Sequence, residues 1–195
     1  MTDNNKRKLR FDMVVIGAST GGPQAVKNVL KELPADFPVG IVYVQHTETS
    51  VYGQFAEWLN HQTDLAVRLA RNDDYPSDGE VLVAPGGHHI LFRGGKLVLE
   101  DTPPVMNIRP CVDYLFMSAA EQFGKRLIGL IMSGMGSDGA RGCQEIVARG
   151  GFMIAQDKES SVIFGMARAA AERNGVSLML PLDKISDQLK DLVSY

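Results

Sequence analysis

Apolar runs that end in polar or glycine-rich turns recur along this chain and predict a parallel β-sheet. The run Val14–Ile16 has no alternation of polar and apolar side chains, which is typical of a strand buried on both faces. Pro23 suits the first turn of a helix, because its missing N–H would have no partner there. The apolar positions around and after it recur at helical spacing: Ala25, Val26, Val29, Leu30 and Leu33. This stretch is therefore predicted to be a buried strand, a tight turn and an amphipathic helix.

The same succession of strands and helices continues to the C-terminus. Further strands are predicted at 40–44, 65–70, 127–132 and 151–155. Helices are predicted around 55–59, after Pro110, around 143–147, around 166–171 and after Pro181. Short strands at 81–84, 89–92 and 96–99 are separated by glycine pairs, which predicts a hairpin-like antiparallel part. We therefore expect an α/β fold: a three-layer, doubly wound, mainly parallel sheet with a small antiparallel edge.

Composition and charge narrow the class of protein. The 195 residues are 45% hydrophobic, which suits one globular domain with a sizeable core. We assign residues 11–195 to that domain and residues 1–10, with the basic cluster Lys6–Arg10, to a disordered polar tail. The net charge of −3 argues against a nucleic-acid partner, which would favour a clustered basic face.

A cytoplasmic protein without membrane insertion is expected. No apolar run reaches the length of about 18 residues that a membrane span needs, and no apolar segment of a secretory signal follows the basic N-terminus. Cys111 and Cys143 lack CxxC spacing, so reduced and buried thiols are expected. The pair His88-His89 is not expected to bind a metal, because adjacent strand residues face opposite sides.

Three predicted strand ends carry unusual chemistry, and parallel sheets place their sites at the carboxyl ends of the strands. The segments are 17–22, 45–47 and 134–139. A dinucleotide-binding oxidoreductase is the first alternative, but Ser19 stands where that fingerprint needs its middle glycine. His46 stands where such a fold needs the acid that binds the ribose. Both departures argue against a dinucleotide.

A serine hydrolase fits these strand ends better. Residues 17–21 read Gly-Ala-Ser-Thr-Gly, a Gly-x-Ser-x-Gly sequence in the strand-turn-helix context that a nucleophilic serine needs. His46 ends the next strand, and adjacent strands lie about 5 Å apart, so its imidazole is expected within reach of Ser19. Asp138 and Asp157 both follow strands and could orient that imidazole. The glycines around Asp138 favour it, but the pattern leaves both open.

Several motifs in fixed order resemble the catalytic domain of the chemotaxis protein-glutamate methylesterases (CheB type). They are Ile16-Gly17-Ala18-Ser19-Thr20-Gly21-Gly22-Pro23, Val44-Gln45-His46, Ala84-Pro85-Gly86-Gly87-His88-His89, Arg109-Pro110-Cys111-Val112-Asp113 and Ser133-Gly134-Met135-Gly136-Ser137-Asp138-Gly139-Ala140. The resemblance implies a triad of Ser19 as nucleophile, His46 as general base and acid, and Asp138 as orienting acid. It further implies that Met135 donates to the oxyanion, that Thr20 lines the site, and that no cofactor or metal is needed.

The resemblance also implies a substrate and partners. The expected reaction is hydrolysis of glutamate γ-methyl esters on the cytoplasmic helices of methyl-accepting chemoreceptors, with deamidation of receptor glutamines as a second activity. A non-catalytic module that binds a receptor or scaffold is the alternative. Only about 12 residues precede the first predicted strand, so we expect no receiver domain in this chain. We expect an enzyme that acts alone, an excised domain, or regulation in trans by a receiver or another chemosensory protein.

Overall fold

The central feature of the fold is a parallel sheet of seven strands. The computed structural model describes residues 11–194. The strands are β1 (Met13–Ala18), β2 (Gly40–Gln45), β3 (Ala66–Leu69), β4 (Glu80–Val83), β7 (Leu127–Ile131), β8 (Phe152–Gln156) and β9 (Leu178–Leu180). Their order across the sheet is β3-β4-β2-β1-β7-β8-β9. A separate antiparallel hairpin consists of β5 (His89–Arg93) and β6 (Lys96–Glu100). The predicted α/β, doubly wound class is confirmed.

Helices cover both faces of this sheet, as expected for strands without alternation. Within residues 11–194 they are α1 (Gly22–Leu30), α2 (Tyr52–Asn60), α3 (Val112–Phe123), α4 (Ala140–Ala148), α5 (Met166–Glu172) and α6 (Leu182–Val193). Val14 and Ile16 pack into the core shared with α1, α2 and α6. Met13 and Val15 face the other way, into the core shared with α3, α4, α5 and the hairpin. The continuous apolar run of β1 therefore reflects burial on both faces.

The position of β1 explains where a site can form. It pairs with β2 on one side, with Ala18 opposite Gln45, and with β7 on the other, with Gly17 opposite Ile131. The chain leaves β1 in one direction and later returns on its other side. The ends of β1, β2 and β7 consequently meet at the topological switch point, where parallel sheets open a crevice.

Two details differ from the sequence prediction. The run 81–84, predicted as part of an antiparallel hairpin, instead forms β4, which pairs in parallel with β2 and β3. That prediction was wrong because four apolar residues carry no signal of strand direction. The glycine pair that follows them leads into the separate hairpin and does not join β4 to it as an antiparallel partner. The strand β9 was not predicted, since its three residues are too short for a periodic pattern.

The sequence predicts no membrane span and a disordered N-terminal tail. No helix in the described range, 11–194, is long and apolar enough to cross a membrane. The predicted disordered tail, residues 1–10, lies outside the described residues, and the domain boundaries remain predictions.

Candidate active site

Ser19 lies in the tight turn between β1 and α1. The Gly22 N–H donates to the Ser19 carbonyl at 2.8 Å, and Gly21 between them has a φ of 81°, a conformation that favours glycine. The Ser19 N–H donates to the Ser133 carbonyl at 3.0 Å, which joins this turn to the one after β7. A Cβ added at Gly134 would lie 2.8 Å from the Ser19 Cβ. The second glycine-rich turn therefore packs directly against Ser19.

His46 lies beside that turn, where the strand pairing predicts it. Its N–H continues the sheet by donating to the Ala18 carbonyl at 3.0 Å. The buried Gln45 amide nitrogen donates to the carbonyls of both Ser19, at 2.9 Å, and His46, at 2.8 Å. The Tyr43 hydroxyl donates to the Gln45 amide oxygen at 2.5 Å. Sequence reasoning missed Gln45, although a polar residue ending an apolar strand was a signal.

The structure brings Asp138 to the imidazole of His46. The His46 Nε2 lies 2.8 Å from the Asp138 Oδ2, and the aspartate is only 3% exposed. The same carboxylate accepts hydrogen bonds from the start of α3: the N–H groups of Val112 at 2.7 Å and Asp113 at 3.0 Å, and the Cys111 thiol at 3.0 Å. Because Nε2 faces Asp138, Nδ1 is the ring nitrogen that remains for proton transfer.

The surroundings of Asp138 favour its charged form. Burial alone would raise its pKa, but the hydrogen bonds from His46 and from the first residues of α3 outweigh burial and hold the pKa of Asp138 below its usual value. A carboxylate that stays ionised at neutral pH is suited to stabilise a protonated imidazole beside it.

Asp157, the alternative that sequence reasoning left open, has a different task. Its Oδ1 accepts hydrogen bonds from the Ser160 N–H at 2.9 Å and the Ser160 hydroxyl at 2.6 Å. The neighbouring Gln156 accepts the Ser133 N–H at 2.9 Å and donates to the Ser160 carbonyl at 2.8 Å. Asp157 therefore shapes the loop that supports the second turn.

Met135 and Thr20 lie on opposing turns at the mouth of the site. Met135 is 70% exposed, and Gly134 before it is held by a hydrogen bond from its N–H to the Ile163 carbonyl at 3.0 Å. The Ser133 hydroxyl donates to the Thr20 carbonyl at 2.8 Å, which ties the two turns together. A cavity of about 460 Å³ adjoins Met135 and extends towards α5. Backbone N–H groups on two such turns suit an oxyanion.

Three further side chains that the sequence singled out are buried, namely His89, Cys111 and Cys143, whereas His88 is exposed. The His89 ring accepts the Cys111 N–H at Nδ1, at 3.2 Å, and its Nε2 lies 3.2 Å from the Pro103 carbonyl oxygen. Cys111 and Cys143 are both free and buried, as predicted. Across the described part of the chain, no group of three or more His, Cys, Asp or Glu side chains is placed to hold a metal ion.

Serine, histidine and aspartate at neighbouring strand ends of a parallel α/β sheet are an arrangement that suits a serine hydrolase. Comparison with known proteins gives the family. The model of the CheB methylesterase family matches residues 14–189, and the chain belongs to this family.

Relatives in sequence and structure agree with that membership. The chain is 46% identical to protein-glutamate methylesterase/protein-glutamine glutaminase 2 of Anaeromyxobacter dehalogenans, covering 95% of this chain and 54% of that protein. It is 44% identical to protein-glutamate methylesterase FrzG of Myxococcus xanthus, covering 94% and 55%. The crystal structure of the Thermotoga maritima CheB methylesterase catalytic domain superposes with a TM-score of 0.89 at 36% identity, covering 94% of this chain and 99% of that one. The chain spans about half the length of the curated relatives it matches.

Proposed function

We propose that this chain is a protein-glutamate methylesterase that hydrolyses glutamate γ-methyl esters with Ser19, His46 and Asp138. The observation that carries the proposal is the 2.8 Å contact between the His46 ring and the buried Asp138 carboxylate, beside the Ser19 turn. A histidine oriented by an ionised carboxylate is what a serine hydroxyl needs to become a nucleophile. Membership of the CheB methylesterase family and the names of the relatives support the same reaction.

The proposed reaction has two stages, acylation and deacylation of Ser19. Asp138 holds the proton of His46 on Nε2, so the lone pair of Nδ1 accepts the hydroxyl proton of Ser19 as its Oγ attacks the ester carbonyl. The tetrahedral intermediate collapses, His46 returns the proton to the leaving oxygen, and methanol departs from an acyl-enzyme. Water then attacks the acyl carbonyl with His46 again acting as base. This step frees the glutamate side chain of the substrate protein as a carboxylate and restores Ser19.

The two glycine-rich turns would stabilise the negative oxygen of each intermediate. We assign the Met135 N–H as a donor and Thr20 as a residue that lines the site. The tight packing of Gly134 against Ser19 supports this, because the second turn lies directly beside the proposed nucleophile. Loss of one such donor lowers kcat by about 10²–10³.

The substrate we propose is a methylated glutamate on a cytoplasmic helix of a methyl-accepting chemoreceptor, met in the cytoplasm. The side chains of Met135 and Val162 are apolar and are 70% and 72% exposed. They lie beside the two glycine-rich turns, where we expect them to contact such a helix. Receptor glutamines offer the same acyl group with ammonia as leaving group, and the Anaeromyxobacter dehalogenans relative is named for both activities. A receiver or another chemosensory protein is the regulatory partner we propose.

Methanol release from a methylated receptor cytoplasmic fragment tests the proposal. Ser19→Ala should lower turnover by about 10⁴–10⁶. Ser137→Ala is the matched control, because Ser137 is an exposed serine on the second turn with no role in the mechanism. Equal rates for wild type and Ser19→Ala would refute the assignment. Binding of the fragment without any release would favour the non-catalytic binding module.

A further inference from the structure

The buried carboxylate of Asp138 is held by more than the histidine of the proposed triad. Its Oδ2 accepts His46 Nε2 and the Val112 N–H, and its Oδ1 accepts the Asp113 N–H and the Cys111 thiol. An ionised carboxylate offers about four lone-pair positions, so these donors saturate it. Loss of any one donor would leave a buried lone pair without a partner.

We propose that Cys111 is a positioning residue for the reaction, whose thiol fixes the Asp138 carboxylate in the plane that serves His46. The inference rests on the proposed function for its catalytic meaning and on the contacts around Asp138 for its geometry. The thiol is the one side-chain donor on Oδ1 among residues 11–194, and it lies 3.0 Å away. A backbone N–H reaches each carboxylate oxygen as well, but only a side chain can be changed without rebuilding the start of α3.

The thiol is suited to donate rather than to react. Cys111 is 3% exposed, and burial together with the charge of Asp138 raises the pKa of its thiol far above the ordinary value. The sulfur therefore keeps its proton at neutral pH, and that proton points at the carboxylate. A thiolate at this place would repel Asp138 and could not hold it.

The backbone of Cys111 is itself held in place from the hairpin side. The fully buried His89 accepts the Cys111 N–H at Nδ1, and its ring stacks on Tyr114 with centroids 4.2 Å apart. The Nε2 of the same ring contacts the Pro103 carbonyl oxygen at 3.2 Å. A chain of contacts thus runs from the loop after β6 through His89 and Cys111 to Asp138.

Asp113 is a second acidic group near this carboxylate. Its Oδ1 accepts the Gly142 N–H of α4 at 2.7 Å, so its side chain joins α3 to α4. The side chain of Asp113 therefore does not supply the donor that Cys111 gives to Asp138.

The test compares Cys111→Ala, which removes the donor, with Cys111→Ser, which keeps one. Cys143→Ala is the matched control, since Cys143 is also a fully buried free thiol but lies within α4. The first readout is the rate at which Ser19 reacts with a fluorophosphonate, in which Oγ bonds to phosphorus, fluoride leaves and His46 takes the proton. This probe needs an activated serine but no glutamyl ester. The second readout is the exchange with water of the His46 Nε2 proton, followed by nitrogen-15 NMR, which needs no activity.

We expect Cys111→Ala to slow labelling about tenfold and to speed exchange of the Nε2 proton by a similar factor, because a donor to a charged group is lost. Cys111→Ser should restore both, with unchanged KM for the methylated fragment, and Cys143→Ala should change neither. Wild-type labelling and exchange in Cys111→Ala, or equal losses in Cys143→Ala, would overturn the inference. If the wild type is not labelled, the proposed nucleophile fails, and the proton exchange alone still decides the role of Cys111.

Discussion

Replacing Gln45 with methionine should lower both the stability of the fold and the rate of the proposed reaction. Methionine has nearly the volume of glutamine, so the change removes hydrogen bonds without opening a large cavity. It deletes both donations of the amide nitrogen, to Ser19 and to His46, and leaves the buried Tyr43 hydroxyl without its acceptor. The backbones of the proposed nucleophile and base would then no longer share one donor group.

The magnitude follows from those bonds. Two lost neutral hydrogen bonds at about 1 kcal/mol each, with about 1 kcal/mol or more for the unsatisfied Tyr43 hydroxyl, lower the free energy of unfolding by about 3 kcal/mol. The effect on kcat is of a different kind, because a displacement of about 1 Å between reacting groups lowers the rate about 10²-fold. We therefore expect both quantities to fall, with little change in KM.

Urea unfolding and methanol release measure the two effects separately. Leu189→Ala is the control for stability: Leu189 is fully buried in α6, in the core on the α1 side of the sheet. Its truncation lowers the free energy of unfolding by about 3 kcal/mol and should leave kcat unchanged at temperatures where the variant stays folded. If Gln45→Met loses stability but keeps the wild-type kcat, or if Leu189→Ala lowers kcat equally, the reasoning fails.

The remaining predictions concern the second turn and the proposed acid. In Gly134→Ala, the new Cβ would clash with Met166 Sδ and lie 2.8 Å from the Ser19 Cβ, so kcat for methanol release should fall about 10²-fold. Gly53→Ala, where a Cβ meets nothing within 4 Å, should leave kcat unchanged. Because the folded state lowers the pKa of Asp138, its carboxylate stabilises the fold above about pH 4, and that contribution is lost as pH falls through the folded pKa. Asp138→Asn should therefore lose less stability than wild type between pH 7 and pH 3 in urea unfolding. Burial raises the pKa of Asp113, so Asp113→Asn should show the opposite sign.

Sequence patterns were sufficient for the central part of this fold because burial on both faces leaves a long apolar run. The strands β1, β2, β7 and β8 were each predicted close to their observed bounds, and each ends in a turn that the sequence marks with glycine or polar residues. The direction of the run 81–84 was predicted wrongly because it depends on pairing with β2 and β3. Strand direction is a tertiary property that four residues do not encode.

The candidate site shows the same division between local and distant information. Ser19 and His46 were placed by the order of elements, since β1 and β2 are neighbours in the chain and in the sheet. The choice between Asp138 and Asp157 remained open in the residue pattern, because both follow strands. The contacts distinguish them: Asp138 meets the His46 ring, whereas Asp157 meets Ser160. The thiol of Cys111 left no signal, because its partner is 27 residues away in sequence.

Two glutamines at strand ends explain how turns rich in glycine hold a fixed geometry. Gln45 ends β2 and binds the turn that follows β1, while Gln156 ends β8 and binds the turn that follows β7. In each case a buried side-chain amide of the outer strand continues the hydrogen bonding beyond the last sheet pair of the inner one. The two turns are then joined to each other by the Ser19 N–H and the Ser133 hydroxyl. Glycine gives these turns close approach, and the amides supply the rigidity that glycine lacks. Positioning of Ser19 is therefore a property of the whole strand-end network, which is why Gln45 is an informative site for substitution.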